Sequence, residues 1–241
     1  MNKKLMQDRF SKNLDNYNTN AKIQKRMAEK LVKYIDKDHY NSILEIGCGT
    51  GFLTEMLSQK VSYEKYIALD IVNDCKNYIN DIDSAIEFIN DDAENYIKQC
   101  NNNFDLIISN ASFQWFEDFE TTTKLFYSKL NQNGDFIFST FGKENFREIY
   151  QVQGASLNYY SIKELKEFFI NTNIRNIDEE IHIMAFSSPR EVLKHLQSTG
   201  VNGIENTHWT KADLKAFENA YTNYCSQRPT LTYNPIYVHL C

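Results

Sequence analysis

Apolar residues recur at helical spacing between Ala21 and Ile35, at Ile23, Met27, Ala28, Leu31, Val32 and Ile35, which predicts an amphipathic helix. A short apolar run, Ser42–Ile46, follows and predicts a strand. It passes through a glycine-rich turn into a helical pattern over Phe52–Gln59. The alternation then repeats. Runs at Tyr66–Asp70, Ile86–Ile89 and Phe104–Asn110 predict three more strands, Phe119–Leu130 a helix, and Gly134 opens a fifth strand over Asp135–Phe141. Strands alternating with helices imply parallel strands joined by crossovers. Their near-continuous apolar character implies a sheet covered on both faces.

The second half is mostly helical. Ser161-Ile162-Lys163-Glu164 is a capping box that starts a helix to about Asn171, and Ile177–Phe186 reads as a strand. Ser188-Pro189-Arg190-Glu191 combines a cap, a first-turn proline and an acid, with a helix stop near Gly200. Thr210 starts another helix to about Ser226, and Tyr233–Leu240 is the last strand. The expected organisation is a helical arm over 1–40 and a ligand-binding core over 41–142. The remainder, 143–241, completes the sheet with about 161–186 and 231–241, and carries a helical cap over about 187–227. All of it forms one unit.

Composition narrows the class. The net charge of −6 is uneven: residues 1–40 carry +5, leaving −11 on the rest. An acidic body argues against nucleic acid as a partner. No apolar run approaches the roughly 20 residues that cross a bilayer, and the start of the chain lacks the apolar stretch of a signal peptide. A cytoplasmic monomer without membrane contact is expected. The five cysteines are odd in number and none forms a C-x-x-C pair, so neither a disulfide framework nor a metal site is expected.

The strongest motif is Glu45-Ile46-Gly47-Cys48-Gly49-Thr50-Gly51, at the exit of the first strand. Glycines there allow a tight turn and close approach of a ligand. A dinucleotide site uses the same geometry, but its last glycines lie three apart rather than two. Glu45 also places a negative charge at the loop, unfavourable beside a pyrophosphate and favourable beside the sulfonium and ammonium of S-adenosylmethionine. Asp70 ends the second strand, where an acid can accept from ribose hydroxyls. Asp92 can accept from an adenine amino group beside the Ala93 amide, with Asp91 competing, and Asn110 ends the fourth strand nearest the transferable methyl.

These features resemble class I methyltransferases: the loop, Asp70, Asp92-Ala93-Glu94 and the segment from Ser109 to Trp115. More narrowly, the chain resembles the malonyl-acyl-carrier-protein O-methyltransferases of the biotin pathway. The residues that carry the likeness are Phe10, Tyr17 to Ala21, Gln24, Gln114-Trp115, Phe138-Ser139-Thr140, Val192 to Asn202 and Leu231 to Val238. One departure is Asn18, where the family often has an acid. The resemblance implies an α/β, Rossmann-like fold: a mostly parallel seven-stranded sheet with helices on both faces, an N-terminal arm, and a cap near the last strands. It implies S-adenosylmethionine as cofactor, S-adenosylhomocysteine as product, and malonyl-acyl-carrier protein or malonyl-coenzyme A as substrate.

A malonyl carboxyl is already ionised at neutral pH, since ordinary carboxyl pKa values lie near about 4. No base is needed, and catalysis reduces to positioning and desolvation, without a metal. A cation should orient the acceptor. Arg147, just past the fifth strand, is the first candidate, ahead of Arg190 and Arg175. Tyr17 should close over the cofactor and Trp115 should wall the acyl pocket, while His195 reads as a packing or hydrogen-bonded residue. Lys25, Lys143, Arg190 and Lys194 are candidates for docking an acidic carrier. The competing readings are a methyltransferase for another small acid or phenol, a non-catalytic cofactor-binding regulator, and a nicotinamide oxidoreductase.

Overall fold

A computed structural model describes residues 3–154, 156–199 and 209–241. The helix stop expected at Gly200, the resemblance residues Val201 and Asn202, and part of the expected cap lie outside them.

The strands are β1 (His39–Ile46), β2 (Ser62–Asp70), β3 (Glu87–Asn90), β4 (Phe104–Ser109), β5 (Leu130–Phe141), β6 (Ile174–Glu179), β7 (His182–Ala185), β8 (Thr230–Tyr233) and β9 (Pro235–Leu240). Helices α1 (Lys3–Ser11), α2 (Leu14–Asn20) and α3 (Lys22–Lys33) precede β1. Helices α4 (Phe52–Lys60), α5 (Cys75–Ile82), α6 (Ala93–Gln99), α7 (Phe119–Tyr127), α8 (Arg147–Gln153) and α9 (Ile162–Phe168) lie between strands, and α10 (Pro189–Ser198) and α11 (Lys211–Cys225) separate β7 from β8.

Seven strands form one sheet in the order β3-β2-β1-β4-β5-β9-β6. All neighbours are parallel except β9, which runs antiparallel to both β5 and β6. The pleat explains the two cores. Ile43 of β1 points to a cluster with Leu31 of α3, Leu57 of α4 and Ile79 of α5. Its neighbours Leu44 and Ile46 point to the opposite cluster, with Ile97 of α6, Phe126 of α7 and Leu165 of α9. The sheet is covered on both faces, as the apolar runs imply.

Two expected strands are each two. The stretch read as Ile177–Phe186 divides into β6, in the main sheet, and β7, which pairs with β8 in a separate two-stranded sheet. The stretch read as Tyr233–Leu240 divides at Asn234 into β8 and β9. Asn234 makes the break: its side chain donates to Glu179 and to the Glu180 carbonyl and accepts from the Glu144 amide. The fifth strand also begins earlier than expected, at Leu130, with a register shift against β4. Helices α10 and α11 pack on each other, α11 also packs on α8, and α10 reaches α2 of the arm.

Candidate active site

Strand order reverses between β1 and β4, which opens a crevice at their carboxyl ends. The cavity there is walled by Gly47 to Thr50 of the loop, by Asp70 at the end of β2, by Asp92 and Ala93 at the start of α6, and by Asn110 and the segment after β4, while Gly51 turns toward Ile82 of α5. The arm covers it with Phe10 and Tyr17.

Gly47, Gly49 and Gly51 all have positive φ, at +68°, +54° and +82°. At Gly47 a Cβ would lie 2.3 Å from the Ser112 Oγ, so the loop and the segment after β4 touch only because no side chain intervenes. The Asp70 carboxylate holds the loop down, accepting from the Gly49 amide at 2.8 Å and from the Val72 amide at 2.8 Å. Burial raises its pKa, against the pull of those two amides.

Glu45 borders the cavity but is not a free charge at the loop mouth. Its carboxyl is 1% exposed and accepts from the Thr54 hydroxyl at 2.7 Å and from the Tyr66 hydroxyl. Burial pushes its pKa up to about 7, with those two hydroxyls opposing. A cation entering the cavity would restore the charge.

Asp92 caps α6 by accepting from the Glu94 amide at 2.9 Å, while its other oxygen accepts from Lys3 of α1 at 2.7 Å. Asp91 accepts from the Asp92 amide. Lys3 also pairs with Glu94. Burial opposes ionisation of Glu94, but Lys3 and the Glu117 and Asp118 amides outweigh it and hold its pKa low. Further polar contacts tie the arm to the core: Gln7 donates to the Ile71 carbonyl, Ser11 to Asp74, and Tyr78 to Asp15. Asn18, the departure from the family pattern, accepts from the Thr50 hydroxyl, so it stitches α2 to the glycine loop without a charge.

Tyr17 meets Phe10 edge-on at 5.0 Å and tilts over Phe52 at 6.0 Å. Burial and the Asp70 charge push its pKa up, so it is neutral. Trp115 lines the cavity from a short 3-10 turn, Phe113–Trp115, anchored by Phe113 packed 4.9 Å from Phe138. His195 bonds the Tyr233 hydroxyl at 2.7 Å.

Arg147 is not brought to the cavity. The turn after β5 is pinned to the β8–β9 junction by Gly142 and Glu144, and Phe146, at φ +55°, fills the core. Glu148 then faces inward, bonded to Thr230 and Thr232. The next-door Arg147 therefore turns outward, 42% exposed, and pairs with Glu144 at 3.2 Å. Arg190 and Arg175 are likewise occupied, by Glu218 at 3.0 Å and Asp36 at 2.6 Å.

Gln24 and Gln114 are among the cavity residues with no role assigned in the sequence reading. They are 3% and 7% exposed, and each leaves its side-chain oxygen without a hydrogen-bond partner. Gln24 carries a legible signal, since it shares the i, i+3, i+4, i+7 stripe of Met27, Ala28 and Leu31, where a polar residue is out of place. Gln114, between two aromatics in a single turn, carries no periodic signal and stands out only through the family resemblance of Gln114-Trp115.

The comparisons with known proteins agree with this geometry. A methyltransferase-domain family model matches residues 8–179. The malonyl-acyl-carrier-protein O-methyltransferase of Calditerrivibrio nitroreducens is 36% identical over 92% of this chain and 89% of its own length. That of Chlorobium luteolum is 33% identical over 98% and 94%. Among solved structures, a putative methyltransferase of Bacillus halodurans superposes with a TM-score of 0.65 at 11% identity, covering 88% of this chain and 97% of that one. The N-methyltransferase NodS of Bradyrhizobium japonicum, solved with S-adenosyl-L-homocysteine, gives 0.50 at 12% identity over 90% and 84%.

Proposed function

The chain belongs to the malonyl-acyl-carrier-protein O-methyltransferases, within the class I methyltransferases, and from that premise we propose that it methylates the free carboxylate of a malonyl thioester. The observation that carries this reading is the extent of the likeness. Caps change freely between functions on one fold, yet here the 33% identity spans 98% of the chain, arm and cap included.

The cavity fits S-adenosylmethionine: its wall includes Gly47 and Gly49 of the positive-φ glycine loop and is bordered by the acids Glu45 and Asp70. When bound, that cofactor supplies an electrophilic methyl group. Glu45, Gly47, Gly49, Asp70, Asp92, Ala93 and Asn110 are the residues to hold it, and Gly51 allows the turn into α4. Tyr17, with Phe10 and Phe52, excludes water from the cofactor, and Trp115 walls the acyl side. The acceptor carboxylate is ionised already, so these residues position and desolvate rather than abstract a proton.

For an acidic carrier, the first turn of α3 is the better docking patch. Lys143 and Lys194 are paired with Glu164 and Glu191, at 2.7 and 2.8 Å, and Arg190 with Glu218. Lys22, Lys25 and Arg26 are exposed beside the inward-facing Gln24. Charge attraction there would speed association and weaken with salt.

The test is mass spectrometry of purified malonyl-acyl-carrier protein after incubation with the protein and S-adenosylmethionine. The expected result is a gain of one methyl group. Methylation of a free phenol instead, or cofactor binding with no turnover on malonyl-carrier or malonyl-coenzyme A, would replace this reading.

A further inference from the structure

We propose that the side-chain oxygen of Gln24 receives the ammonium group of the methyl donor, and so selects ligands that carry an amino-acid end. This rests on the cofactor placement given above, with Asp92 at the adenine and Asp70 at the ribose.

Gln24 lies in the first turn of α3 and lines the cavity, yet it is 3% exposed. Its Oε1 has no hydrogen-bond partner among the described residues. A buried polar atom left unpaired is destabilising, so such an atom on a cavity wall points to a bound partner. An amide oxygen only accepts, and its partner must therefore donate. That requirement excludes carboxylates, both the cofactor's own and the acceptor's.

The order of the strands selects among the donors. The parallel strands β3, β2, β1 and β4 lie side by side. At their carboxyl ends the wall presents, in the same order, Asp92, Asp70, the glycine loop and Asn110. A ligand with adenine at Asp92 and ribose at Asp70 extends its amino-acid end past the loop toward Asn110. Gln24 is fixed at that end, because the Asn110 side chain donates to the Gln24 backbone carbonyl at 2.9 Å. With the adenine amino group and the ribose hydroxyls met by the two acids, the ammonium is the donor that reaches Gln24. The oxygen of Gln114 is also unpartnered, but its amide donates to the Ala111 carbonyl at 2.6 Å. That bond keeps it in the turn of Trp115, on the acyl side.

An ammonium leaving water needs acceptors for three N–H groups. Two nearby side chains are already engaged. Glu45 accepts from the Thr54 and Tyr66 hydroxyls, and the Asn110 oxygen accepts from the Ser139 hydroxyl at 2.8 Å. Gln24 supplies an acceptor with no competing bond. Being neutral, it does so without setting a negative charge beside the incoming acceptor carboxylate.

Calorimetry on the full chain at pH 7, where an α-amino group is charged, separates this role from packing. The two probes are S-adenosylhomocysteine and its deaminated analogue, with hydrogen in place of the amino group. Wild type should bind S-adenosylhomocysteine about 30-fold more tightly than the analogue. Gln24→Leu should weaken S-adenosylhomocysteine about tenfold and change the analogue by less than about twofold. Unchanged binding of the analogue also shows that the variant is folded. Gln24→Asn, which keeps the amide but draws its oxygen back, should give the same pattern and decides the matter where the leucine variant does not fold. Gln24→Glu keeps acceptor oxygens and should bind S-adenosylhomocysteine within about threefold of wild type. Equal weakening of both ligands in a folded variant, or weakening of neither, would overturn the assignment. So would a loss of discrimination in Gln114→Leu but not in Gln24→Leu. Either failure leaves the methyltransferase reading intact, whereas a wild type without affinity for S-adenosylhomocysteine would remove both.

Discussion

The acids around the glycine loop and the two cavity glutamines differ in how their polar groups are treated. On the loop side each acid is already engaged: Asp70 by two amides, Asp92 by an amide and Lys3, Glu45 by two hydroxyls. The loop side is held in shape by these bonds within the protein, which lowers the ordering cost of binding. The two glutamines leave acceptor oxygens without a partner among the described residues.

The largest break in that contrast should come from Asp70→Ala. It releases both the Gly49 and the Val72 amides. Each charge-assisted bond is worth about 1.5–3 kcal/mol, so affinity for S-adenosylhomocysteine should fall about 100-fold or more. Calorimetry checks this, and a drop below tenfold would mean the loop holds its shape without the clamp.

A smaller effect separates charge from shape at Glu45. Its pKa is about 7 in the fold against 4.5 unperturbed, so the folded state holds the extra proton between those values. Stability from this group therefore falls as pH rises through that window and stays low above it. Glu45→Gln has no such loss. Its melting temperature relative to wild type should improve by roughly 5 °C between pH 5 and pH 8. A difference that does not change with pH would show that Glu45 ionises normally.

The smallest effect is expected at the arm. Lys3 is partly exposed, and such pairs contribute up to about 1 kcal/mol. Lys3→Ala should weaken S-adenosylhomocysteine binding about threefold and speed its release. Equal release rates would assign arm closure to Phe10 and Tyr17 instead.

The parts legible in the sequence are those with local causes. Apolar runs gave β1 to β4, because a strand buried on both faces needs apolar residues at nearly every position. The glycine loop was legible because its positive φ angles demand glycine. The direction of Arg147 was not legible, because position along the chain says nothing about rotation: Glu148 takes the inward direction, and its neighbour turns away. The division of 177–186 between two sheets was hidden for the same reason, since both halves alternate alike.

From its own residues the chain determined the order of strands and helices, the acid-and-glycine turn, and the caps that begin α9, α10 and α11. Those depend on neighbours a few positions apart. Tertiary structure alone decided that β9 inserts between β5 and β6, that Lys3 reaches Asp92, and that Gln24 and Gln114 share a wall. Such pairings join residues about 90 apart, as Lys3 and Asp92 show. Which of many compatible partners meet is set by packing the whole core at once.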